Sequence, residues 1–371
     1  MNQAMKQSLK KWARQIPMAR WLKRVLIDSS RKNVAGAPQK ALRAPSGEFG
    51  LYRAQNILNF QTYWLAVEQN YRALANPFQY HEVLIETLQN SADVTLLPLF
   101  ELGAADPANR RIVGLRYDID DDPVTGVRAA RALARRGICG SFYLLHTSAY
   151  YGVMVGDRFV RRPELEDWVL NLIVAGCELG LHNDAFGVCK LFGKNGAQAV
   201  IDEIQWLREL GATIRGTVAH NSGPVYGAEN YEVFKEYVHW PRNVQSAGGQ
   251  RLPLGALSAA ELGLTYEGTF SRTKTNIDKK QAISFLADLK NADVRSASWM
   301  RRFLLDNPYH DFTLDFQFWL VGRDQWIFAG RHDGKEYYRC PINLAELFEV
   351  FRQIPRGTRT LFVLHPEYFR L

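Results

Sequence analysis

Cysteine is scarce: four residues in 371, Cys139, Cys177, Cys189 and Cys340, with no CxxC pair and no dense framework. In a chain this long, that spacing argues against a disulfide scaffold and for reduced thiols in a cytoplasmic setting. Long apolar runs are also missing. No stretch approaches the roughly 18 consecutive apolar residues expected of a membrane-spanning helix. Lys10, Lys11, Arg14 and Gln15 interrupt what would be a signal-peptide core. Internal repeats are absent, and low complexity is confined to the N-terminal region. With 47% hydrophobic, 23% charged and 12% aromatic residues, the chain is neither disordered nor collagen-like nor a pure coiled coil.

Charge is present but unevenly placed. The net +8 hides a first segment of 50 residues with eleven basic and two acidic side chains, or +9. The remaining 321 residues carry 35 basic and 36 acidic side chains, or −1. A neutral body of this kind is not a nucleic-acid-binding surface. Within the basic segment, Met5, Leu9, Trp12 and Ile16, then Trp21, Leu22, Val25 and Leu26 beyond Pro17, make an apolar stripe between lysines and arginines. A basic amphipathic helix over 5–26 suits peripheral contact with an anionic membrane, here the inner face of the cell membrane. A helix packed on the body and a partner-binding arm remain open alternatives. Gly, Ala, Pro and Ser dominate from Asn33 to Gly50, which reads as a linker.

Leu51 to about Asn90 is helix-prone. Beyond it, apolar runs alternate with helical patterns, as in parallel βαβ units. Strands are expected at Arg111–Tyr117, Gly140–Leu145, Cys177–Leu181, Ile214–Ala219, Thr313–Leu320, Gln325–Ala329 and Thr360–Leu364. Helices are expected from Pro123 to before Gly137, and over Glu164–Val174, Ala197–Leu210, Asn230–Tyr237 and Leu344–Arg352. The stretch 240–311 reads as an irregular insertion. The expected organisation is therefore a basic arm and linker over 1–50 and one α/β body over 51–371.

Metal-binding and acid–base side chains recur just after the strands. Asp118, Asp120, Asp121 and Asp122 follow the first; His182, Asn183 and Asp184, then His220, Asn221 and Ser222, and finally His365 follow later ones. In parallel α/β folds the strand C-termini meet on one rim, where the site lies. Carboxylate and imidazole ligands from different strands can hold a zinc-like ion with a position left open. The i, i+2 spacing puts Asp118 and Asp120 on one side of an extended chain. Asp121 and Asp122 read as helix caps before Pro123. His146 suits a structural or substrate-contact role. His81, His239, His310 and His332 have no motif around them, and the many aromatics read mostly as core.

Arg116-Tyr117-Asp118-Ile119-Asp120-Asp121, with Ser141-Phe142-Tyr143 beyond it, resembles the first motif and second strand of the polysaccharide deacetylase superfamily. Gly176-Cys177-Glu178-Leu179-Gly180-Leu181-His182 resembles the strand that delivers its metal histidine, and Leu364-His365-Pro366 its last motif. Asp324-Gln325-Trp326 is a short match to the penultimate one. The resemblance spans about 51–371 and is closest to divergent members of surface-polysaccharide (O-antigen or capsule) gene clusters. It implies a distorted (β/α) barrel of about seven strands, a divalent metal, most simply zinc, and hydrolysis of an N- or O-acyl group on a sugar. The substrate would be a sugar nucleotide, a lipid-linked sugar or a glycan. By the resemblance, Asp118 is the general base, Asp120 and His182 are metal ligands, and His365 is the general acid. Typical members carry a second histidine four residues after the first, where this chain has Phe186, and Ser or Thr where it has Asn183. His220 is the candidate for the missing ligand, with Asp184 as the alternative. Two other functions stay open: a non-catalytic carbohydrate-binding or assembly protein, and paired-carboxylate glycoside hydrolysis.

Overall fold

Strands buried on both faces should be apolar almost throughout, and those of this chain are. The computed structural model describes residues 78–220, 228–238, 243–245, 249–269, 304 and 314–369. The arm, the linker and most of the 240–311 stretch lie outside these residues. In chain order come α1 (Gln79–Gln89), β1 (Val94–Leu97), α2 (Leu99–Leu102), β2 (Arg111–Ile119), α3 (Pro123–Ala134) and β3 (Ser141–Leu145). A hairpin, β4 (Gly152–Val155) and β5 (Arg158–Arg161), precedes α4 (Pro163–Val174) and β6 (Glu178–Asn183). Then follow α5 (Gly196–Glu209), β7 (Gly216–Ala219), β8 (Tyr266–Glu267), β9 (Phe316–Gly322), β10 (Gln325–His332), β11 (Lys335–Ile342), α6 (Leu344–Gln353) and β12 (Thr358–Leu364).

Ten strands form one sheet in the order β11-β10-β9-β12-β2-β3-β6-β7-β8, with β1 beside the first half of β2. From β9 to β8 all neighbours are parallel, a run of seven strands. Strands β10 and β11 extend it as an antiparallel ribbon. The architecture is thus mixed α/β on a mostly parallel sheet. The expected barrel closure is not made by hydrogen bonds among the described residues: β11 and β8 are the two end strands. The expected helix over Asn230–Tyr237 is instead two short 3-10 turns, Asn230–Val233 and Lys235–Tyr237. Among the described residues, no helix is long and apolar enough to cross a membrane.

Side chains alternate between two cores. Val113, Leu115, Tyr117 and Ile119 of β2, with Phe142, Leu144, Leu179, Leu181, Phe318 and Phe362, join the larger core together with helix residues such as Leu84, Leu133, Val169 and Leu207. Ile112, Tyr143, Val218, Tyr266, Trp319, Leu361 and Val363 form the smaller core on the opposite, concave face. Glycines make room there: a Cβ on Gly180 would lie 2.5 Å from the Tyr143 ring, and one on Gly216 would lie 2.1 Å from the Tyr266 ring. The curl is tight enough for Arg116 on β2 to donate from Nη1 to the Gly268 carbonyl just after β8, at 2.9 Å.

Candidate metal centre

The alternation that builds the concave core also delivers its polar residues. On β2 the same face carries Ile112, Gly114, Arg116 and Asp118, with Asp120 next in phase. Tyr143 and Leu145 pair in register with Gly180 and His182 on β6, and His182 with Val218 on β7. His220 is one pleat beyond Val218. His365 is in phase with Leu361 and Val363 on β12. Each lies at the C-terminal end of its strand, so one rim collects them all.

Asp120, His182 and His220 each offer a ligand atom, and the three atoms lie within 4.8 Å of one another. The Nε2 atom of His182 is 3.3 Å from Asp120 Oδ1. That approach falls outside hydrogen-bond geometry and leaves the buried Oδ1 without a hydrogen-bond partner. His182 Nδ1 donates to the Val218 carbonyl at 3.0 Å. This contact fixes the ring and leaves Nε2 as the lone-pair nitrogen aimed at the group, as in metal-binding histidines. The ring of His220 meets that of His182 edge-on, with centroids 5.1 Å apart. Burial pushes the Asp120 carboxyl up, but His182, His220 and His365 outweigh it and hold the carboxyl low. Burial likewise opposes a charged His182, and Asp118 and Asp120 prevail to raise it. An Asp–His–His set with an orphaned carboxylate oxygen fits a divalent ion of the zinc class.

Asp118 is not part of that group. Both its oxygens accept from Arg116, from Nε at 2.7 Å and Nη2 at 2.6 Å, with the guanidinium over the Trp319 ring. Burial works against the Asp118 charge, and Arg116, then His182, reverse the balance and keep it ionised. His182 Nε2 is 3.9 Å from Asp118 Oδ2, so the carboxylate flanks the ligand set. The Nδ1 atom of His365 donates to the Leu320 carbonyl at 2.7 Å, which leaves its Nε2 for other work.

The loops after β6 and β7 explain the departure at Phe186. That ring is fully buried in the larger core, on the far side from the ligand set. Asp184 does not ligate with the three. It stands behind His220, Oδ1 to Nδ1 3.8 Å, and accepts from the Thr147 hydroxyl and from Asn230 Nδ2. Asn230, completely buried, also accepts from the Phe186 N–H and donates to the His220 carbonyl, tying both loops together. Nothing in the sequence around Asn230 marks it. Arg116 had a legible signal, because it shares the i, i+2 phase of Asp118 and Asp120. Glu367 was also missed; burial first, then Asp120 and Asp121, push its carboxyl well up.

Asp324-Gln325-Trp326 lies away from the centre. Asp324 Oδ1 accepts from the Tyr80 hydroxyl and the Leu344 N–H, and the Trp326 indole donates to Tyr80, so both brace α1 in the larger core. Asp122 caps α3 as expected, accepting from the Thr125 N–H at 3.1 Å and its hydroxyl at 2.6 Å. His146 supports the rim: its Nε2 accepts from the Asp184 N–H at 2.8 Å. Searches against protein-family models, curated proteins and solved structures find no match to this chain.

Proposed function

We propose that the protein is a metal-dependent hydrolase that removes an N- or O-acyl group from a sugar in surface-polysaccharide biosynthesis. In this reading the curled sheet is a divergent, distorted (β/α) barrel of the polysaccharide deacetylase type. It works in the cytoplasm, with the basic arm at the inner membrane face. Asp120, His182 and His220 hold the ion, for which zinc suits the donor set. When bound, such an ion supplies Lewis acidity toward the acyl oxygen and the attacking water. Asp118, oriented by the Arg116 fork, accepts a proton from that water. His365, oriented by the Leu320 carbonyl, protonates the departing amine or alcohol at Nε2.

One observation carries the reading: three ligand atoms from three strand ends converge around a buried carboxylate oxygen that makes no hydrogen bond and faces His182 Nε2 at 3.3 Å. A buried carboxylate oxygen without a hydrogen bond is costly, and a cation shared with the two imidazoles resolves it. The test is metal analysis of the purified full chain after zinc exposure and dialysis. About one zinc per chain is expected, with loss in Asp120→Ala and His182→Ala and retention in His365→Ala, which should lose only acyl hydrolysis. A folded protein that stays metal-free throughout would refute the reading.

A further inference from the structure

Strand β7 is short, and the residue it delivers to the metal group, His220, lies one position past its end. On the β6 side, main-chain pairing runs to Asn183 and Ala219, and the His220 N–H donates to the Asn183 carbonyl at 2.8 Å. On the other side, β8 pairs through only two residues, Tyr266 with Gly216 and Glu267 with Thr217. The Gly268 N–H adds a last main-chain bond to the Thr217 carbonyl at 2.7 Å. There the main-chain ladder stops, with the Ala219 N–H still to be satisfied.

A side chain takes over. Thr269 Oγ1 accepts from the Ala219 N–H at 2.7 Å and donates to Glu267 Oε1 at 2.8 Å. Glu267 Oε2 accepts from the Thr269 N–H at 2.9 Å, so the hydroxyl is held from behind in one orientation. Both residues are buried. The carbonyl between them, that of Gly268, accepts from Arg116 Nη1 at 2.9 Å. A strap of three consecutive residues, Glu267–Thr269, therefore grips both the segment that carries His220 and the arginine whose fork orients Asp118. Its centre has no room for a side chain. A Cβ on Gly268 would lie 2.8 Å from Val218 Cγ1, and the Val218 carbonyl is what fixes His182.

We propose that Thr269 is a positioning residue for the metal group: its hydroxyl sets the end of β7 so that His220 meets Asp120 and His182. It touches neither ion nor substrate and acts through the Ala219 N–H. The role rests on the reading of Asp120, His182 and His220 as a metal centre, and adds to it a residue that no ligand spacing in the sequence marks. The chemistry needed at this position is specific. One group must accept from an amide and donate to a carboxylate at once, which serine retains and valine, of nearly equal shape, lacks. Partners that orient a metal ligand govern affinity by about tenfold to a hundredfold.

The experiment titrates the full chain, freed of metal by chelation, with zinc in competition with a chromophoric chelator, and with cobalt(II) followed by its visible absorption. Thr269→Val should bind zinc about tenfold or more weakly than the unaltered chain and shift the cobalt bands, while Thr269→Ser stays within about twofold. Thr358→Val is the control. Thr358 is equally buried at the opposite end of β12, and its hydroxyl donates to the Pro355 carbonyl at 2.7 Å. Its loss should lower the melting midpoint and leave zinc affinity unchanged. Where the valine chain does not fold, Thr269→Cys, whose thiol is a weaker partner of similar size, replaces it and should lose zinc affinity in smaller measure. Native zinc affinity and cobalt bands in the folded Thr269 variant, or an equal loss in Thr358→Val, would overturn the positioning role and leave the metal reading standing. An unaltered chain that takes up neither metal would overturn both.

Discussion

Two buried ionisable groups show opposite solutions, one pair matched by opposite charge and one histidine held neutral. Arg116 and Asp118 are matched, and removing either strands the other, at a cost of about 3–5 kcal/mol for a buried pair. His81 on α1 is held neutral. It contacts the Tyr117 hydroxyl at 2.8 Å through Nε2, and burial, helped by Arg136, depresses its pKa to about 3. The unfolded chain protonates this histidine near pH 6.5, while the folded chain refuses the proton until about pH 3. Unfolded protein therefore binds more protons across that window, and stability falls on acidification by about 1.4 kcal/mol per pH unit from this group. His81→Gln keeps a polar partner for Tyr117 without titrating in this window. Its denaturant-measured stability between pH 6 and pH 4 should fall less steeply than that of the unaltered chain by about that amount.

Among the elements, α3 follows directly from local chemistry. Asp122 supplies the cap, Pro123 occupies the first turn, and Gly137 takes φ +68° just beyond the end. Asp122→Ala should cost about 1–2 kcal/mol and lower the thermal midpoint, with Asp122→Asn recovering most of the loss. Strands β2, β3, β6 and β12 were equally legible, because apolar runs ended by polar clusters leave few alternatives. Others were not, β1 and β8 among them, and three show why. β11 is exposed and charged and carries Pro341, features of an edge strand that mask its apolar pattern. The β4–β5 hairpin is short and half solvated, and the π-helical turn Val188–Phe192 has no local sequence signature. All three were invisible for the same reason: their stability comes from neighbours that local spacing does not report. The metal group was legible as a candidate set because each ligand ends a readable strand; Asn230, which locks their loops, was not.

At the scale of the whole molecule, the +9 of the first 50 residues and the −1 of the rest divide the chain into a basic and a nearly neutral part. On the proposed reading, attraction to an anionic surface would belong to the first segment, and the candidate metal group Asp120, His182 and His220 belongs to the second. Deleting residues 1–45 should release the protein from vesicles rich in anionic lipid at low salt, while the thermal midpoint of the body stays unchanged. Undiminished co-sedimentation after the deletion would exclude the arm as the membrane contact.

The sequence by itself determined the main parallel strands β2, β3, β6 and β12, the α3 cap and the candidate ligands Asp120, His182 and His220, since each follows from side-chain periodicity and local backbone chemistry. Only the tertiary structure decided that Phe186 turns into the core, that Asp184 stands behind His220 instead of beside it, and that Arg116 holds Asp118. Those outcomes depend on the curl of the sheet and on long-range hydrogen bonds such as those of Asn230. Such contacts join residues whose separation along the chain carries no trace of their meeting.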